Sequence, residues 1–204
     1  MASEGAKQVL ELLASTPAPA EPPTVAQQRA NMEAATAAFP VPEDATITPV
    51  TANGVPGEWV AMPGASDKHA VLYLHGGGYV IGSPKTHRSL TAALAKETGA
   101  KLLVIDYRMG PEDACPAAID DAVAAYEFLL AEGYDAANLA IAGDSAGGGL
   151  TVATLVALRD KGVALPAAAA PISPWVDLTG NSPTMESRKD VDPMVQKDGL
   201  LAMA

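Results

Sequence analysis

A chain of 204 residues can bury a sizeable core, and its length favours one domain that needs no disulfide or metal staple. With 49% hydrophobic residues it has a globular composition, and a net charge of −11 with no Lys/Arg cluster argues against nucleic acid or anionic membrane as partners. The single cysteine, Cys115, rules out an internal disulfide, permits a reducing compartment and reads as a small packed side chain.

Residues 1–14 lack the basic start and apolar core of a secretory signal, and no run approaches the ~18 apolar residues of a membrane span. The expectation is a cytoplasmic protein without stable membrane insertion. Weak helical periodicity over residues 4–14 gives way to a proline-rich loop at Pro17, Pro19, Pro22 and Pro23. Thr24 and Gln27 form a capping box for a second helix running to about residue 39, with Met32 and the alanines as its apolar side. Over residues 45–62 β-branched and polar residues alternate around Asn53-Gly54, which predicts two antiparallel edge strands.

Four apolar runs follow, at residues 71–74, 102–106, 139–142 and 167–172, and their continuity predicts strands buried on both faces of a parallel sheet. Between them lie helix-period segments at 86–98, 116–132 and 145–161, closed by Gly99, Gly133 and Gly162. This alternation predicts a doubly wound, mostly parallel α/β sheet. Residues 199–204 begin an apolar helical stretch that halts without a cap.

Three motifs carry chemistry. Gly143-Asp144-Ser145-Ala146-Gly147 sits directly between a predicted strand and a predicted helix, the setting in which a sharp turn presents a serine nucleophile; the alternative is a plain strand-to-helix turn. His75-Gly76-Gly77-Gly78-Tyr79 follows a buried strand, and consecutive glycines leave main-chain N–H groups uncovered. Those of Gly77 and Gly78, with that of Ala146, are expected to bind a developing oxyanion, while His75 shapes the loop rather than acting as base. His69 and His87 read as surface or capping residues. Asp106-Tyr107-Arg108-Met109-Gly110-Pro111-Glu112 gathers opposite charges at one strand end, and reads either as an ion-pair network supporting the site or as an exposed charged loop.

With these three motifs in order and Ile172-Ser173-Pro174-Trp175-Val176-Asp177-Leu178 after them, the chain resembles the hormone-sensitive-lipase family of bacterial carboxylesterases over roughly residues 45–180. The resemblance implies an α/β-hydrolase with a helical cap: cap helices at 1–44, a partial core at 45–182 and the start of a cap insertion at 183–204. It implies hydrolysis of short- to medium-chain acyl esters through a Ser, Asp, His triad, with a small-molecule ester substrate, no cofactor, no metal and a possible homodimer in the full-length protein. Carried over, Ser145 is the nucleophile, Gly77, Gly78 and Ala146 are the oxyanion donors, and His75, Gly76, Asp144 and Glu112 support them. The family order is Ser, acid, His, yet no histidine follows Ser145. Asp177, Asp190, Asp192 and Asp198 lie in the expected cap or its approach and do not suit the acid, so the C-terminal strands that carry acid and base are expected to be missing. A non-catalytic binding protein on the same scaffold is the alternative.

Overall fold

Apolar strands must pair their backbone N–H and C=O groups with one another, because nothing around them can. In the computed structural model, which describes residues 3–15, 22–192 and 194–203, three such strands lie side by side in parallel at the centre. These are β3 (Ala70–Leu74), β4 (Lys101–Ile105) and β5 (Leu139–Asp144). A hairpin of β1 (Thr46–Ala52) and β2 (Val55–Ala61) joins antiparallel through β2 to β4, and β6 (Ala168–Ile172) pairs in parallel with β5. The sheet order is β1-β2-β4-β3-β5-β6. Asn53 and Gly54 take φ of 48° and 92° at the hairpin turn, the two positive values that match the twist of the flanking strands.

Side chains alternate across the sheet, so each central strand supplies two cores. Leu103 and Ile105 of β4 join Leu72 and Leu74 of β3 on one face, packed by Tyr126 and Leu129 of α4 (Ala117–Ala131) and by Leu150 and Leu158 of α5 (Ala146–Asp160). Leu102 and Val104 point the other way, onto Tyr73, Val60 and the small residues Ala92 and Ala95 of α3 (Arg88–Thr98). Gly99 closes α3 at φ 65°, and Gly133 and Gly162 follow α4 and α5 at φ 94° and 70°, as their positions predict.

Several expectations need correction. β2 is interior, bonded to both β1 and β4, so of the hairpin's two strands β1 alone lies at the sheet edge. β6 is exposed along its whole length rather than buried on both faces, because it has β5 on one side only. The helix expected at 86–98 begins with a 3₁₀ turn, Lys85–His87, and becomes α-helical at Arg88. Before the sheet lie α1 (Glu4–Ser15) and α2 (Val25–Thr36). The capping box of Thr24 and Gln27 opens α2 as expected, but the helix ends at Thr36 and buries no residue, so the alanines form no apolar seam. Pro17 and Pro19 lie outside the described residues. Two short helices, α6 (Pro183–Ser187) and α7 (Lys197–Leu201), follow β6. Among the described residues no helix is long and apolar enough to cross a membrane.

Leu103 is fully buried at the centre of the sheet, so Leu103→Ala should lower unfolding free energy by about 2–5 kcal/mol in urea denaturation. Val156→Ala, on the exposed side of α5, should cost less than about 1 kcal/mol in the same assay.

Candidate active site

β5 runs straight into α5, and the one residue between them bears the whole change of direction. Ser145 takes φ 53° and ψ −118°, a region that costs a non-glycine residue on the order of 1–3 kcal/mol and persists only where its surroundings hold it. Three backbone hydrogen bonds do so. The Ser145 N–H donates to the Ile172 carbonyl at 3.0 Å, and the Ser145 carbonyl accepts from Gly149 at 3.0 Å and Trp175 at 2.9 Å. The side chain is exposed, and its hydroxyl makes no hydrogen bond among the described residues.

Close approach explains the flanking glycines. A β-carbon on Gly143 would stand 2.5 Å from the Leu74 carbonyl oxygen, and one on Gly147 would stand 2.5 Å from that of His75 and closer still to that of Leu74. The turn is thus pressed against the end of β3, where the glycine loop starts. On that loop, a β-carbon at Gly76 would collide with the Asp144 carboxylate. Gly77 and Gly78 have φ of 125° and 63°, which glycine adopts freely.

The N–H groups near Ser145 divide into committed and free. That of Gly76 donates to Asp144 Oδ1 at 3.0 Å, whereas those of Gly77, Gly78 and Ala146 donate to no group among the described residues. Asp144 Oδ1 also accepts from the Tyr73 hydroxyl at 2.8 Å and lies 3.3 Å from His87 Nε2. Burial would raise the Asp144 carboxyl, but hydrogen bonds from His87, Tyr73 and Gly76 outweigh it and hold the group below its usual range.

His75 is fully buried, stacked on Tyr107 at 4.3 Å, and its Nδ1 donates to the Gly76 carbonyl at 2.9 Å. Burial lowers its pKa to about 4, so the ring is neutral near neutral pH. Nε2 is buried and bonded to nothing among the described residues. The geometry agrees with a loop-shaping His75. His69 is exposed and bonds Ser66, as expected of a surface residue. His87 is not a surface residue: it stands at the N-cap position of α3 without capping it, is only 7% exposed, and points at Asp144. Sequence reasoning missed it because a histidine at a helix start looks like a solvated cap.

The charges of residues 106–112 form no single network. Arg108 pairs with Asp121 of α4 and Glu112 with Arg29 of α2, while the Tyr107 hydroxyl donates to the His75 carbonyl at 2.6 Å. Arg29 also donates to the Val80 and Gly110 carbonyls, both at 2.8 Å, so one side chain ties α2 to two loops. Glu112 therefore anchors α2 rather than lying against Ser145.

These loops border a cleft of about 720 Å³ with mainly apolar walls, including Val25, Tyr79, Ile119, Val152, Trp175 and Leu178. Gly149, whose N–H bonds the Ser145 carbonyl, is in its wall, so the cleft opens beside the serine. Cys115 lies in this wall and is exposed, not packed as expected, because it sits in the loop before α4 rather than on a core face.

Comparison with known proteins agrees with this fold. A family model described as an alpha/beta hydrolase fold matches residues 71–204. An acetyl-hydrolase of Streptomyces hygroscopicus is 44% identical over 184 residues, covering 90% of this chain and 60% of the relative. An esterase of Acinetobacter venetianus is 32% identical over 164 residues, covering 80% of this chain and 54% of the relative. The chain thus spans about three-fifths or less of the length of these relatives. The crystal structure of an esterase from the bacterial hormone-sensitive lipase family superposes with a TM-score of 0.93 at 42% identity, covering 100% of this chain and 68% of that one.

Helix propensity alone makes Gly147→Ala stabilising in α5 by up to about 1 kcal/mol. The contacts with β3 reverse the sign, and the variant should instead lose about 1–3 kcal/mol in urea denaturation. A pH effect follows from His75. Its pKa is about 4 in the fold against an ordinary 6.5, so the unfolded chain binds the extra proton between these values. Stability from this group is complete above pH 6.5 and is lost, by an amount on the order of 3 kcal/mol, as pH falls to 4. Urea midpoints at pH 7 and 4.5 should show a smaller drop in His75→Asn than in the parent; equal drops would refute the assignment.

Proposed function

The chain belongs to the hormone-sensitive-lipase family of α/β-hydrolases, and on that premise we propose that it carries the nucleophile and oxyanion half of a serine carboxylesterase. The observation that carries the proposal is the strained, exposed Ser145 beside three N–H groups, those of Gly77, Gly78 and Ala146, that are uncommitted among the described residues. A serine oxygen attacking an ester carbonyl creates an oxyanion, and free backbone donors facing that charge stabilise it without reorganising. The N-terminus of α5 adds its dipole in the same sense. A base takes the serine proton and returns it to the leaving oxygen, so collapse of the tetrahedral species expels the alcohol and leaves an acyl-serine, which water hydrolyses to the carboxylic acid and free serine.

The substrate on this reading is a small carboxylic ester of short to medium acyl chain. The apolar cleft beside Ser145 supports that class, as does the similarity to an acetyl-hydrolase. The segments 1–44 and 183–204 serve as cap over the 45–182 core, a division supported by Arg29, which ties α2 to the cleft loops. His75 and Asp144 shape the site, and Glu112 acts from farther off through Arg29.

The triad acid and histidine lie outside these residues on the same reading. None of the three histidines follows Ser145 in sequence, His75 is buried and bonded to its own loop, and His87 is directed at Asp144. In serine hydrolases, loss of the catalytic residues costs on the order of 10⁶ in turnover, with roughly 10³–10⁴ over water left from oxyanion stabilisation and binding. An external base should therefore restore chemistry at Ser145. Imidazole added to the chain with p-nitrophenyl butyrate should give hydrolysis above that of Ser145→Ala under the same conditions. Equal rates in the two proteins would discard the nucleophile assignment and favour a binding protein on the hydrolase scaffold.

A further inference from the structure

Asp144 collects donors from three parts of the chain on one carboxylate oxygen: the Tyr73 hydroxyl of β3, the Gly76 N–H and His87 Nε2. The last two lie near opposite ends of one loop. The chain leaves Asp144 at Gly76, passes through Gly77 and Gly78, and returns to the same oxygen at His87. A loop tied at both ends explores far fewer conformations than one tied at its start, and here the tie is the residue next to Ser145.

His87 is itself held for this task. Its Nδ1 lies 2.8 Å from Thr86 Oγ1, whose hydroxyl donates to it when Nε2 carries the ring proton, and Thr86 Oγ1 in turn accepts from Ser83 N. The ring is only 7% exposed, beside His75 at 5.5 Å and Tyr73 at 6.3 Å, so little room is left for it to turn away from the carboxylate. These contacts hold the far end of the glycine loop against Asp144 of β5 and Tyr73 of β3.

We propose that His87 is a positioning residue: by bonding Asp144 it closes the glycine loop and keeps the Gly77 and Gly78 N–H groups in register with Ser145. The role of those groups rests on the function proposed above, but the closure itself is a property of the loop and is read without turnover.

The test is amide hydrogen exchange by NMR on the 204-residue protein and three variants, following the Gly76 amide, which bonds Asp144, and the Val80 and Ile81 amides, which bond the Gly77 carbonyl. Leu103, in the buried centre of β4, reports global opening. His87→Ala removes the donor, His87→Asn is too short to reach Asp144, and His87→Gln places an amide N–H near the position of Nε2. Exchange at Gly76, Val80 and Ile81 relative to Leu103 should rise about tenfold or more in the Ala and Asn variants and return to within about twofold of the parent in the Gln variant. An equal rise at Leu103 in all three would mean that His87 only stabilises the fold, and unchanged Gly76 exchange would mean that it does not hold the loop; either overturns the proposal. Failure of the imidazole experiment with the exchange pattern intact would remove the esterase reading and leave the closure standing.

Discussion

The backbone of Ser145 is the constraint on which the rest of the structure depends. An L-residue at φ 53° does not stay there unaided, and the hydrogen bonds to Ile172, Trp175 and Gly149 supply what its own conformation lacks. Each partner brings a requirement with it. Ile172 is available only because β6 lies parallel to β5, Trp175 only because the chain turns at Ser173 with φ 44°, and Gly149 only because α5 starts at once. The contacts that bring Gly147 against Leu74 and His75 then set β3 and its glycine loop beside the serine.

Polar groups around this turn are arranged so that some donors are spent and others are kept. Asp144 takes up the Gly76 N–H, and His75 takes up the Gly76 carbonyl through Nδ1. The N–H groups of Gly77, Gly78 and Ala146 remain uncommitted among the described residues. A carboxylate one residue from a site that would stabilise negative charge is a hazard unless its own charge is satisfied, and the donors on Asp144 do that. The ionic pairs lie farther out: Arg108–Asp121 and Arg29–Glu112 fasten α4 and α2 to the loops around the cleft.

Much of this was legible in the amino-acid order. Strand runs at 71–74 and 102–106 and the closing glycines Gly99, Gly133 and Gly162 place the elements of the sheet within a residue or two, because burial on two faces and a left-handed cap each demand particular residue types. Buried neighbours were harder. β6 reads as an interior strand from its alanines, yet its exposure depends on which strands flank it. Cys115 reads as packed, yet it lies in a cleft wall. The 106–112 charges read as one group, yet their partners Asp121 and Arg29 come from distant helices.

By itself the sequence determined the parallel α/β sheet, the serine turn and the glycine loop, since local sterics and hydrophobic period act over a few residues and leave a direct trace in residue type. Only the tertiary structure decided that Asp144 is shared by Gly76, Tyr73 and His87 and that Arg29 ties α2 to the cleft loops. These facts depend on segments tens of residues apart meeting in space, and such meetings are fixed by packing and by the pairing of buried polar groups, not by the residue types on either side of each position.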